Sequence, residues 1–166
     1  MPADFGAALA AVVRLKAEGV VTEYAVGGAM AIVFWTEPVP TFDLDVFVLL
    51  PESSSLLVSL DPIYRWAEAN GYPADNEHIV IDGLPVQFLP SHGALADEAI
   101  EHAATVEYEG LSVRVIRPEH LIALYLEPSA RTAKRLQRVA ILLEESLVDR
   151  EQLTAILRRY NLELPS

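Results

Sequence analysis

Two short motifs in succession constrain this chain more than anything else in it: Val26-Gly27-Gly28-Ala29 and, beyond a short apolar segment, Asp43-Leu44-Asp45-Val46. Glycine lets the backbone approach a ligand closely, and the first N–H groups of a helix that follows can face an anion. Side chains at i and i+2 of a strand point to the same face, so a strand over this D-x-D presents both carboxylates together and sends Leu44 and Val46 the other way. The order predicts a strand running into a phosphate-accommodating turn, a short helix, then a second strand carrying paired acids. A bare Gly-Gly is more often a plain tight turn, and an isolated D-x-D more often a solvated strand edge. The weight lies in their succession.

Two carboxylates held this close repel each other when both are ionised. A divalent cation removes that cost, and hard oxygen ligands suit Mg²⁺ or Mn²⁺. Asp43 and Asp45 are therefore the candidate metal ligands and catalytic acids, with Gly27 and Gly28 at the phosphates of a ligand.

With 166 residues, 52% of them hydrophobic and 22% charged, the chain can bury one core and is not a disordered polymer. No apolar run reaches the ~18 residues that span a bilayer, so no membrane partner is expected. No basic segment precedes an apolar stretch at the N-terminus, so a signal peptide is not expected either. Cysteine is absent, which excludes disulfide partners and thiolate metal sites, and a cytoplasmic location is the expectation. Net charge is −12, unevenly spread: residues 1–110 hold 3 basic and 17 acidic residues, residues 111–166 hold 9 and 7. An acidic body argues against a broad, sequence-independent grip on nucleic acid, and leaves room for a local anion site in the second part.

Hydrophobic periodicity predicts an amphipathic helix over 4–18 with Asp4 as N-cap and Gly19 past its end. It predicts a strand over 23–26, a short buried helix over 29–35 and a strand over 43–50. A helix over 61–70 stops at Gly71. Strands over 78–81 and 84–89 flank Asp82-Gly83, and strands over 105–108 and 111–116 flank Glu109-Gly110, both hairpin dipeptides. A short helix lies between them over 94–102. Helices follow over 118–126, about 130–145 and 149–160, the first with Pro118 in its opening turn. The fold class is α+β: a mixed β-sheet with flanking helices over 1–117, and a C-terminal helical extension over 118–166 packed on it.

At this point the residues resemble a known family. Val26-Gly27-Gly28-Ala29-Met30-Ala31 followed by Thr41-Phe42-Asp43-Leu44-Asp45-Val46 is similar to the two-part motif of the DNA polymerase β-like nucleotidyltransferase superfamily, including the threonine before the acid pair. Arg117 to Leu124, followed by Arg131 and Lys134, resembles the helical tail of the AbiEii/AbiGii toxin-like branch, and Leu84 to Pro90 is similar to a strand of that branch. The likeness runs from about residue 20 to 145. It implies a nucleotidyltransferase-like fold that takes Mg²⁺ or Mn²⁺ and a nucleoside triphosphate. The reaction implied is transfer of a nucleoside monophosphate to an RNA, protein or small-molecule acceptor, with toxin–antitoxin function among the implications. It makes Thr41, Arg131 and Lys134 candidate nucleotide-binding residues beside Gly27 and Gly28.

Three departures stand out. The spacer between Gly28 and Asp43 is 14 residues, slightly long for the family, and Val39 stands where many relatives carry arginine. The third acid of the family aligns with Gln87, and glutamine cannot act as a general base. Asp82 can substitute only if the strand register differs from the hairpin reading. The expectation is therefore double: an Mg-dependent nucleotidyltransferase, or a catalytically inactive binding or regulatory protein of the same fold. A structural domain with no ligand is the alternative from a different class.

Arg131, Lys134, Arg135 and Arg138 fall at i, i+3, i+4 and i+7 and share a helical face. Leu136, Val139, Ala140, Leu143 and Leu147 define the face expected to pack on the core. The stripe is equally compatible with a solvated surface and with a triphosphate or RNA site. His78, His92, His102 and His120 lack zinc spacing and read as surface or packing residues. Tyr125 reads as a packing residue with a base-stacking alternative.

Overall fold

A computed structural model of the chain describes residues 4–36, 43–51, 59–145 and 147–165. The first helix, α1 (Phe5–Ala17), is capped by the Asp4 carboxylate, which accepts from the Ala7 N–H, and it ends two residues before Gly19. Strand β1 (Glu23–Gly27) runs directly into α2 (Gly28–Trp35), and β2 (Leu44–Leu49) follows. Helix α3 (Asp61–Ala69) leads to a two-residue strand β3 (Ala74–Asp75), then β4 (His78–Ile81), β5 (Leu84–Pro90) and α4 (Ala94–Glu101). Strands β6 (Ala104–Tyr108) and β7 (Leu111–Val115) form the second hairpin. Three helices close the chain: α5 (Pro118–Leu126), α6 (Ala133–Glu145) and α7 (Arg150–Arg159).

The seven strands form one mixed sheet in the order β3-β4-β5-β2-β1-β7-β6. Its centre is β2, antiparallel to β1 and parallel to β5. Alternation dictates what β2 does. Leu44, Val46 and Val48 are fully buried, while Asp45, Phe47 and Leu49 point to the other face and are half-buried. Each fully buried Leu or Val side chain contributes about 1.5–3 kcal/mol, so this alternation fixes which face the acids occupy. A slip of one residue would exchange the two faces.

Both hairpins turn as their dipeptides dictate. Asp82 and Gly83 have φ of 49° and 83°, and Glu109 and Gly110 repeat those values, the left-handed pair that a two-residue turn demands. Asp82 therefore lies in the turn and Gln87 in the sheet.

Helix α5 is the central helical element: all nine of its residues are buried, and it packs against α2, α4, α6 and α7. Three expectations are corrected here. The helix predicted from Ala130 is a 3₁₀ turn over Pro128–Ala130 followed by α6 from Ala133, because Pro128 lacks the N–H that would continue α5. The buried side of α6 is Val139 and Leu142, flanked by Leu136 and Leu143, whereas Ala140 is exposed. Leu147 is fully exposed because the helix ends at Glu145 and leaves it in the connection to α7. Strand β3 was not foreseen, since two residues carry no periodicity.

Candidate functional site: an acid pair facing an arginine pair

The two motifs meet at the junction of β1, α2 and β2. Gly27 pairs with Asp45 in the antiparallel register, which brings the glycine pair against the acid that follows 17 positions behind it in sequence. Gly28 has a φ of +61°, and a Cβ built there would lie 2.3 Å from Asp45 Oδ2. Only glycine meets both demands, a left-handed backbone and contact with a carboxylate. Gly27 is extended, but its Cβ would lie 2.5 Å from the Phe47 ring, so the ring is what fixes glycine there.

Asp43 sits just ahead of β2 and is exposed; Asp45 is half-buried. Burial pushes the Asp45 carboxyl above the usual carboxylate range, and the neighbouring charge of Asp43 pushes it further. Arg138, His78 and Arg135 act in the opposite direction. Ionising Asp45 beside Asp43 carries a cost that nearby positive charge relieves.

Arg135 and Arg138, on α6, supply that charge from across a cleft of about 290 Å³. Gly28, Asp45 and Phe47 form its sheet side, and Tyr125, Arg135 and Arg138 part of its helical side. Arg138 lies over the Tyr125 ring, 5.9 Å from its centroid, and the buried tyrosine is only 8% exposed. This contact holds the guanidinium at the cleft wall. The volume is close to the lower limit of about 300 Å³ for small-molecule sites, enough to enclose part of a nucleotide.

The donor set suits a hard divalent cation. It offers carboxylates and no thiol, and among the described residues no group of three His, Asp or Glu converges as a ligand set. Mg²⁺ commonly takes one or two carboxylates and completes its shell with substrate phosphates and water, which is the role an Asp43/Asp45 pair can fill.

The position of Gln87 relative to the acid pair is now defined. Asp45 pairs with Gln87 on β5, and Gln87 pairs with His78 on β4, so the three side chains share one face on consecutive strands. Asp82 is at the distal turn and does not substitute for Gln87.

The other sequence candidates are distributed as follows. Thr41 lies outside the described residues. Arg131 donates from Nε to Leu126 O at 2.9 Å and from a terminal nitrogen to Glu163 O at 2.9 Å, tying the end of α5 to the C-terminal segment. Lys134 is exposed and does not line the cleft. Of the basic stripe, the structure brings Arg135 and Arg138 to the acid pair, and it does not bring Arg131 and Lys134 there. The signal was the stripe's own spacing, since Arg131 precedes α6 and only the later members lie well inside the helix.

The histidines separate into two sets. His120 is 5% exposed, and its Nε2 lies 2.9 Å from Glu98 Oε2; Arg159 pairs with the same carboxylate. His102 Nδ1 lies 3.0 Å from Glu98 O, and His92 Nε2 lies 3.4 Å from Glu127 Oε1. His78 stands apart from these, beside Gln87.

The architecture is that of the nucleotidyltransferase fold. The chain superimposes on the crystal structure of ANT(2″)-Ia in complex with adenylyl-2″-tobramycin with a TM-score of 0.56 and 15% identity, over 95% of this chain and 98% of that one. A solution structure of the antibiotic-resistance factor ANT(2″)-Ia gives 0.53 and 16%, over 94% and 91%. An antigenic nucleotidyltransferase-like protein from Paracoccidioides brasiliensis gives 0.53 and 10%, over 96% and 89%. No protein-family model and no curated protein matches the sequence. Among the described residues, no helix is long and apolar enough to cross a membrane.

Proposed function

We propose that this chain binds a nucleoside triphosphate with Mg²⁺ or Mn²⁺ in the cleft and transfers the nucleoside monophosphate to an acceptor. The observation that carries the reading is the opposition of Asp45, with the charge of Asp43 beside it, to Arg135 and Arg138, with Gly28 pressed against Asp45. Asp43 and Asp45 hold the cation, which when bound polarises phosphoryl oxygens and neutralises their charge. The N–H groups at Gly27 and Gly28 face the phosphates at the start of α2. Arg135 and Arg138 contact phosphate oxygens from the other side. The chain's own contribution is positioning and electrostatic stabilisation, which is most of what phosphoryl transfer needs from a protein.

The acceptor carries a hydroxyl. That ANT(2″)-Ia is seen with adenylyl-2″-tobramycin supports a small molecule; the sequence likeness to the AbiEii/AbiGii toxin-like branch supports RNA or protein, with a toxin–antitoxin role in the cytoplasm. Growth arrest on induced expression, relieved by Asp43→Ala, is the cellular readout of that branch. Calorimetric titration with each of the four NTPs in the presence of Mg²⁺ tests the reading. Binding of at least one, abolished by Asp45→Ala, is expected; silence with all four removes it.

Gln87 opposite Asp45 favours a second reading, a binding or regulatory protein that holds the nucleotide without turning it over. Transfer of label that depends on Asp43 eliminates it.

A further inference from the structure

The row across the sheet face does not end at Gln87. Reading outward from Gly27, the paired positions are Asp45 on β2, Gln87 on β5, His78 on β4 and Asp75 on β3. Neighbouring strands are about 4.8 Å apart, so His78 stands two spacings, roughly 10 Å, from Asp45 along the backbone. The charge of an imidazolium at His78 acts on Asp45 across that gap. Three of the four histidines are held by Glu98 or Glu127. The His78 ring is half-buried and forms no hydrogen bond with a described residue.

A transfer to a hydroxyl needs an acceptor for its proton. Gln87 occupies the position beside the acid pair, and its amide cannot accept one at neutral pH. Asp43 and Asp45 are committed to the cation in the reading above, on which this inference rests. His92 and Glu127 line the cleft but face each other at 3.4 Å; in the row of paired strand positions, the next side chain beyond Gln87 that can take a proton is His78.

We propose that His78 is the general base of the transfer, standing in one strand further out for the carboxylate that Gln87 lacks. The acceptor oxygen forms a bond to the α-phosphorus as the bond from that phosphorus to the bridging oxygen of pyrophosphate breaks. The hydroxyl proton moves to a ring nitrogen of His78, and the imidazolium later releases it to solvent. An alcohol and a nucleoside triphosphate thus become a nucleotidyl ester, pyrophosphate and a proton. Asp75 stands directly opposite His78 on the sheet edge. Gln87 remains as a neutral donor and acceptor between acid pair and base.

The test follows release of pyrophosphate and labelled monophosphate from α-labelled NTPs, with water, total RNA and tobramycin as acceptors. Wild type is compared with His78→Ala, His92→Ala and His78→Ala/Gln87→Glu, all checked for unchanged melting. His78→Ala is expected to lower kcat about 10²–10⁴-fold while NTP affinity by calorimetry stays near wild type. Added imidazole restores part of the loss, and so does Gln87→Glu by returning a carboxylate beside Asp45. Turnover by His78→Ala close to wild type overturns the inference and leaves nucleotidyl transfer standing, as does a loss confined to His92→Ala. A loss that neither imidazole nor Gln87→Glu relieves also overturns it, since it assigns His78 to structure. A wild type that consumes none of the four NTPs removes the transfer reading and the base with it.

Discussion

Replacing Gly28 with alanine tests whether the glycine pair serves the acid pair or only the turn. At φ +61° an alanine pays about 1–2 kcal/mol for the left-handed backbone. The new Cβ would lie 2.3 Å from Asp45 Oδ2 and 3.0 and 3.1 Å from its Cγ and Cβ. Rotating the terminal carboxylate does not clear the Cγ contact, so the Asp45 side chain must leave its χ1 rotamer, adding about 0.5–1.5 kcal/mol, and the Cβ contact needs a backbone shift of a few tenths of an ångström. A total near 2–3 kcal/mol lowers the melting midpoint by roughly 4–12 °C for a chain of this size. Disturbing the support of a cation-holding carboxylate costs about 10–100-fold in affinity, so Mg²⁺–NTP binding falls together with stability. Gly71→Ala is the control: its φ is +78° with no atom within 4 Å of the added Cβ. It should lose only the backbone part, about 1–2 kcal/mol, and bind nucleotide as wild type does. Calorimetric melting and titration of both variants decide the matter. If Gly28→Ala matches Gly71→Ala in both, the contact with Asp45 has no consequence and the reasoning is refuted.

Arg138→Ala removes a charge-assisted phosphate contact and is expected to weaken NTP binding about 10–100-fold, the equivalent of about 1.5–3 kcal/mol; titration showing an unchanged affinity excludes Arg138 from the site. Arg131→Ala breaks the ties to Leu126 O and Glu163 O and should cost about 1–3 kcal/mol in urea unfolding, with a smaller effect on nucleotide affinity than Arg138→Ala; the reverse ranking returns Arg131 to the phosphates. Acid stability should report the α4–α5–α7 junction. Burial holds His120 below the ordinary histidine value against the pull of Glu98, so the unfolded chain takes up this proton first and stability falls as pH drops below about 6.5. Burial also opposes ionisation of Glu98, but the hydrogen bond to His120 and the charge of Arg159 outweigh it and hold the carboxyl low. Its stabilisation is full above about pH 4.3 and is lost as pH falls through the lower folded value. His120→Gln should flatten the upper part of the urea-midpoint profile and Glu98→Gln the lower part; profiles parallel to wild type argue against the junction.

The sheet was legible because its signals were local and redundant. Asp82-Gly83 and Glu109-Gly110 set two hairpin turns, and the alternation through Leu44, Val46 and Val48 left one assignment for the acids. A two-residue turn even fixes the pairing of His78 with Gln87 by counting back from Ile81 and Leu84. His78 was nonetheless passed over, because the parallel pairing of β5 with β2 that carries the row on to Asp45 has no local signature. The helical tail was less readable. Pro128 marked a break but not where α6 would resume, and that offset separates Arg131, a tie between backbone segments, from Arg135 and Arg138, which face the acids. Leu147 looked like a core residue by spacing, and its helix simply stops short of it.

The most direct measurement is the fate of α-labelled NTP with Mg²⁺ in wild type and Asp43→Ala, with total RNA, protein extract and tobramycin as acceptors. The account predicts label on one acceptor, pyrophosphate released in equal amount, and neither product from Asp43→Ala. Nucleotide bound by wild type and recovered intact from every mixture would contradict transfer and leave a binding protein built on the same cleft.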